Sequence, residues 1–196
     1  MYSINKQELA KSANIKQNRF LEIAKIGENI FHTDDLAKIW KIENKNTLNM
    51  TLKRYVDSGL LYRVYRGLYS LSEPISLDPL LLGARAINNY CYLSGETVLA
   101  QQGIIFQKIN YFTFVGTQSK RWKIFNYQYY CRQLKDDFLY NDLGVDKTGK
   151  FNIATTERAV ADILYFNPDY HFDNQTEINW KKVKEIQKKV YNNKNL

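Results

Sequence analysis

Histidine, cysteine and proline are scarce in this 196-residue chain, which has two, two and three of them. His32 and His171 are isolated, and Cys91 and Cys131 belong to no C-x-x-C pattern, so the sequence offers no structural zinc site and implies no metal or other cofactor. Long apolar runs are missing too. Nothing approaches the roughly 18 apolar residues of a spanning helix, and the start, MYSINKQELAKS, lacks the apolar stretch of a signal peptide. These absences point away from a membrane and toward a reducing cytoplasm.

What the chain does have is charge and apolar mass. Lysine and arginine number 28 against 20 acids, a net charge of +8, and 44% of the residues are hydrophobic. That is ample for a packed core in one domain or two small ones. A basic surplus favours polyanionic partners, nucleic acid first and acidic membranes second, with simple solubility as the plain alternative.

Order along the chain narrows this. Residues 1–15 are polar, a frayed helical arm or a disordered leader. From Asn18 to Gly27, Phe20, Ile23, Ala24 and Ile26 recur at near-helical spacing, and Gly27 is a natural stop. Ile30 and Phe31 are short and extended. Thr33 then suits an N-cap for a helix with Asp34 and Asp35 in its first turn and Leu36, Ile39 and Trp40 inward. After a turn at Ile42–Lys45, a third helix over about 46–58 buries Leu48, Leu52, Tyr55 and Val56. Its opposite face carries Asn46, Thr47, Met50, Lys53 and Arg54.

Gly59 ends that helix, and LYRVYRGLYSL follows over residues 61–71, two strands joined through Arg66-Gly67. Helix, strand, helix, turn, helix, hairpin is the order of a winged helix-turn-helix, whose third helix enters the major groove of double-stranded DNA while the wing reaches phosphates or the minor groove. On this reading Asn46, Thr47 and Met50 face base edges, and Lys45, Lys53 and Arg54 serve phosphates or guanine. Arg63, Tyr65 and Arg66 grip the backbone, with Val64 and Tyr69 pinning the hairpin to the core. The plain alternative is a solvated helix face, or a winged helix used for protein contacts.

Past Pro74 and Pro79 the pattern changes. Residues 77–87 read as a helix capped by Asp78, and 92–103 as a second with Ser94 at its cap and Gly103 as its stop. Residues 111–115 and 122–131 are rich in aromatic and β-branched residues and read as strands, with 151–154 a third. Thr155 caps a helix to Phe166 in which Arg158 and Asp162 can pair at i, i+4. Residues 180–196 hold six lysines and one glutamate. The fold class expected is therefore α+β: a winged helix-turn-helix over 1–75, a small mixed α/β domain over 76–170, and a basic tail or terminal helix over 171–196.

The second half does not read as an enzyme. Of its carboxylates, Asp136 and Asp137 are adjacent and would diverge, while Glu96 and Glu157 lie early in helices, where capping accounts for them. Asp142, Asp146 and Asp162 form no D-x-D, and there is no phosphate-binding glycine loop or nucleophile elbow.

Four stretches carry a family resemblance. They are Phe31-x-x-x-Asp35-Leu36, then Gly59-Leu-Leu-x-Arg63-x-x-x-Gly67-x-Tyr69, then Tyr92-x-Ser94-Gly-Glu96-x-Val98-Leu99-x-x-x-Gly103, and last Ala154-Thr-x-Glu157-Arg158-Ala159-x-x-Asp162. In that order, over about residues 18–166, the chain resembles the AbiEi family of antitoxins and transcriptional regulators of bacterial type IV toxin-antitoxin, or abortive-infection, systems. The resemblance implies an N-terminal winged helix that represses its own operon and a C-terminal domain that opposes a nucleotidyltransferase-like toxin without a stable complex. The operator would consist of inverted repeats bound by a homodimer. The alternative function is a protein-binding module that contacts the toxin directly or dimerises through the second half, with a nuclease-type enzyme a distant third.

Overall fold

The computed structural model describes residues 6–192. Its fold is mixed α+β, with eight α-helices and two separate sheets among those residues. Two compact units divide the chain between Leu77 and Asp78.

The first unit runs α1 (Lys6–Ala24), β1 (Ile30–His32), α2 (Thr33–Ile39), α3 (Lys45–Asp57), β2 (Tyr62–Tyr65) and β3 (Leu68–Ser70). Of the arm expected over 1–15, residues 1–5 lie outside the described residues and the remainder belongs to α1. Lys, Gln, Glu, Leu and Ala are good helix formers, and no Gly or Pro interrupts them. Ile23 is buried and Phe20 half-buried, but Ala24 and Ile26 are exposed, because the helix ends there and the chain turns away through Gly27 at φ +75°.

β1 stays paired through His32, and α2 begins at Thr33 itself, one residue earlier than a cap at that threonine suggested. His32 is the N-cap, and its N–H donates to Asp35 Oδ2 at 3.1 Å. Thr33, released from capping, donates both its N–H (2.9 Å) and its hydroxyl (3.2 Å) to the carbonyl of Gly67. The sheet order is β1-β3-β2, both pairings antiparallel. Tyr65 pairs with Leu68, leaving Arg66-Gly67 as a two-residue loop with Gly67 at φ +72°. A positive φ at the second loop residue is what a type II turn requires, and Gly adopts it without a Cβ clash.

The core of this unit joins all three helices to the sheet: Ile23, Phe31, Leu36, Trp40, Leu48, Leu52, Tyr55 and Leu61 are buried together. Trp40 stacks near Tyr55, ring centroids 5.0 Å apart, and its Nε1 donates to the Arg19 carbonyl at 3.1 Å. Val64 and Leu68 are buried and Tyr69 packs against the cluster, fixing the hairpin's inner side.

The second unit contains α4 (Pro79–Ile87), β4 (Cys91–Leu93), α5 (Glu96–Gln101), β5 (Phe112–Gly116), β6 (Lys120–Ile124), β7 (Tyr127–Gln133), α6 (Asp136–Leu139), β8 (Val145–Asp146), β9 (Asn152–Ala154), α7 (Thr156–Phe166) and α8 (Trp180–Val190). Its six strands form one mixed sheet, β6-β7-β5-β4-β9-β8, with β4–β9 and β5–β7 parallel. Asp78 caps α4 by accepting from Leu80 N–H at 2.8 Å, and Thr155 caps α7. Gly83 lets α4 lie close on the sheet: a Cβ there would fall 2.5 Å from the Tyr129 ring and 2.8 Å from that of Phe114.

Two local expectations are corrected here. Residues 91–93 form a strand, so the helix read from Tyr92 starts only at Glu96; its cap is Gly95 at φ +63°, while Ser94 turns its hydroxyl to Asp162 Oδ2 at 2.6 Å. Residues 122–131 are two strands, reversed at Phe125-Asn126 with Phe125 at φ +52°. The basic end is α8, with Val183, Ile186 and Val190 buried and its lysines outward; residues 193–196 lie outside the described residues.

The centre of this unit is a polar hub. Arg158 is fully buried, and all five of its N–H donors are used. Nε donates to Asp162 Oδ1 at 2.8 Å, Nη1 to the carbonyls of Asn141 (3.0 Å) and Leu143 (2.9 Å), and Nη2 to Tyr92 Oη (2.9 Å) and the Phe138 carbonyl (3.0 Å). Tyr191, just beyond α8, donates its hydroxyl to Asp162 Oδ1. Guanidinium geometry suits such a site because its fork of donors is rigid and permanently charged.

Burial raises the hydroxyl pKa of Tyr92, Tyr129 and Tyr191 above the ordinary phenol value of 10.0, and pushes both cysteine thiols from 9.0 up to about 12. Groups held neutral in this way lend stability that is complete below the unfolded-state pKa and lost as pH climbs toward the folded-state one. The unfolding free energy from urea titrations should therefore fall above pH 9, and the midpoint with it, by about 1.4 kcal/mol per pH unit for each group ionising only in the unfolded chain. A midpoint that held steady to pH 11 would contradict the burial of these groups.

Candidate nucleic-acid interface

The residues that the sequence marked for DNA lie in the first unit, on α3 and on the β2–β3 hairpin. Asn44 caps α3, its side chain accepting from the N–H groups of Asn46 and Thr47, each at 3.0 Å. The helix therefore starts one residue earlier than periodicity indicated, and Lys45 is its first residue, not part of a turn. Lys45, Asn46, Thr47, Met50, Lys53 and Arg54 are all exposed, Met50 by 56%. A 100° step places Asn46, Met50 and Lys53 within about 60° of one another, opposite Leu48, Leu52 and Tyr55.

Two details alter the roles within this row. Thr47 lies at its margin, and its hydroxyl also donates to Asn44 Oδ1 at 3.3 Å, so it supports the cap before it can serve a ligand. Asn49, exposed and about 40° beyond the Lys53 side of that arc, was missed, although the same wheel places it next to the row. A side-chain amide offers both donor and acceptor to a base edge.

Through Gly59 at φ +69° the chain passes directly into the hairpin. Arg63 is exposed on β2 opposite Tyr69, Tyr65 is half-buried beside the loop, and Arg66 is exposed at the tip. Among the described residues, Lys45, Lys53, Arg54, Arg63 and Arg66 have no ion-pair partner. Five cations on one helix and one hairpin thus keep their charge for an external anion.

The carboxylates of the second unit are differently employed. Asp162 serves the hub, and Glu96 is paired with Arg132. Among the described residues, no group of three His, Cys, Asp or Glu side chains could hold a metal ion, and no helix is long and apolar enough to cross a membrane.

No family model matches the chain, and no curated protein matches it. Among solved structures, the crystal structure of the RV2827C protein from Mycobacterium tuberculosis is similar, with a TM-score of 0.55 at 10% identity, over 90% of this chain and 72% of that one. At that identity the likeness is one of fold.

Proposed function

We propose that the chain is a cytoplasmic, sequence-specific DNA-binding repressor whose first unit is a winged helix-turn-helix. The observation that carries this is the exposed row Asn46, Met50, Lys53 and Arg54 on the third helix, followed at once by a two-arginine hairpin, with all four cations unpaired among the described residues. α3 would read bases in the major groove, with Asn46, Asn49 and Met50 at the edges and Lys45, Lys53 and Arg54 on phosphates or guanine. The hairpin would hold adjacent phosphates through Arg63 and Arg66.

The resemblance to AbiEi antitoxins extends the proposal. The protein would repress its own operon as a homodimer on inverted repeats, and its second unit would oppose a nucleotidyltransferase-like toxin without a stable complex. In support, two of the stretches that carry the resemblance meet in the hub, where Tyr92 and Ser94 join Arg158 and Asp162. No catalytic step is assigned to the chain.

Gel-shift titration on the protein's own upstream DNA against a scrambled duplex, at two salt concentrations, tests the reading. Tight, selective binding is expected, and weak binding indifferent to sequence would overturn it. Asn46→Ala and Met50→Ala should change base preference by about 1–3 kcal/mol at the positions they read, with salt dependence unchanged. A selection from randomised duplexes would show this directly, and an unaltered consensus would remove these residues from the base-reading role.

A further inference from the structure

We propose that the second unit carries a nucleotide-binding cleft on the uncovered end of its sheet, independent of the first unit's surface. Strand register and the alternation of side chains assemble it. β6 and β7 are antiparallel with Arg121 opposite Tyr130, so Arg121, Tyr130 and Arg132 share one face while Trp122, Tyr129 and Cys131 are buried on the other. α4 covers that second face through Gly83 and Tyr129. On the first face α5 packs over β5, where Thr97 and Thr113 exchange hydrogen bonds. Tyr130 and Arg132 remain half-exposed and Arg121 exposed.

The result is a cleft of about 510 Å³ lined by Tyr111, Ser119, Lys120, Arg121, Tyr130, Arg132 and, at its edge, Cys131. That volume suits a small ligand and far exceeds a lone phosphate. Three of the lining residues are cations and none is an acid. Arg121 lies over the Tyr130 ring, 4.5 Å from its centroid, and Tyr111 meets that ring edge-on at 4.5 Å. Arg132 is held from behind: one Nη2 bond goes to the buried Glu96, and the Phe166 ring lies 5.6 Å from its Cζ. Its Nε and Nη1 make no hydrogen bond among the described residues.

Fixed guanidinium groups select phosphate oxygens, and half-exposed tyrosine rings select a planar base. Together they specify a phosphorylated nucleoside, either as a free nucleotide or as one residue of a single strand. Arg121 and Arg132 would take the phosphate and Tyr111 would stack on the base. The bland function of such a strand is protective, since lysine and arginine on an edge strand discourage edge-to-edge pairing. It explains Lys120 and Lys123 but not the paired tyrosines or the anchored Arg132.

The test is isothermal titration calorimetry on the full chain carrying R63A and R66A, so that binding at the proposed duplex site does not obscure the result. Ligands are the four nucleoside monophosphates, ATP and GTP, a single-stranded hexamer, adenosine, inorganic phosphate and a duplex. Expected is saturable one-site binding of a nucleotide or of the hexamer, at least tenfold tighter than adenosine or phosphate, and weakened tenfold or more by Arg121→Gln or Tyr111→Leu in protein whose melting curve is unchanged. Equal affinity for nucleotide and hexamer would assign the free nucleotide, and a hexamer a hundredfold tighter would assign a single strand. Absence of saturable binding at millimolar ligand, phosphate binding as well as any nucleotide, duplex binding as tightly at this site, or indifference to both substitutions would each overturn the proposal.

Discussion

Alanine at both Arg63 and Arg66 is expected to weaken binding to every duplex by a similar factor, on the order of a hundredfold if each arginine loses one charge-assisted contact of about 1.5 kcal/mol. Phosphate contacts are indifferent to sequence, so operator and scrambled DNA should suffer alike. The plot of log affinity against log salt should also flatten by about 1.8, because two fewer condensed cations are released from the duplex. Neither arginine is buried or ion-paired among the described residues, so the fold should be indifferent to the change. Anisotropy titrations at four salt concentrations measure both quantities. Unchanged operator affinity would remove the hairpin from the DNA contact.

The second large effect belongs to the hub. Arg158→Met leaves the Asp162 carboxylate buried with only the neutral hydroxyls of Ser94, Tyr191 and Tyr92 as partners, and it takes the guanidinium donors away from the carbonyls of Asn141, Leu143 and Phe138. Removing one member of a buried ion pair costs about 3–5 kcal/mol, which should lower the melting temperature of this unit by roughly ten degrees or more. The pair itself is not the source of net stability. Replacing Asp162 as well, with Leu, should return part of the loss, because no uncompensated charge then stays in the core. Calorimetric melts of the two single variants and the double variant separate these terms. A single-variant cost below 1 kcal/mol would mean that water reaches the hub.

Features decided within a few residues were legible in the sequence. Asp78 and Pro79, Thr155, and Gly59 and Gly67 announce caps, stops and turns through their own stereochemistry, and the structure uses them so. Capping at Thr33 failed for a non-local reason: its N–H and hydroxyl are both committed to the carbonyl of Gly67 in the hairpin loop. The break at Phe125-Asn126 was hidden because a phenylalanine, not a glycine, takes the positive φ. Most instructive is Arg158. At i, i+4 from Asp162 it reads as an ordinary helix-surface pair, and nothing in its neighbourhood says that Tyr92, Asn141, Leu143 and Tyr191 will surround it. For the DNA face, the wheel of α3 sufficed, apart from Asn49 and the cap that redirects Thr47.

The span of the hub sets an order of events during synthesis. The first unit is complete in sequence by Leu77, and its hairpin and helices make contacts near in chain. Arg158, by contrast, needs Tyr92 on one side, and its partner Asp162 needs Tyr191 on the other, about a hundred residues later, and closures over such separations are slow. While the ribosome is still translating the stretch before Tyr191, the nascent second unit holds an arginine and an aspartate that are not yet fully enclosed. A growing chain would thus present its first unit finished well before its second, and premature stops ahead of codon 191 would spare the one and undo the other.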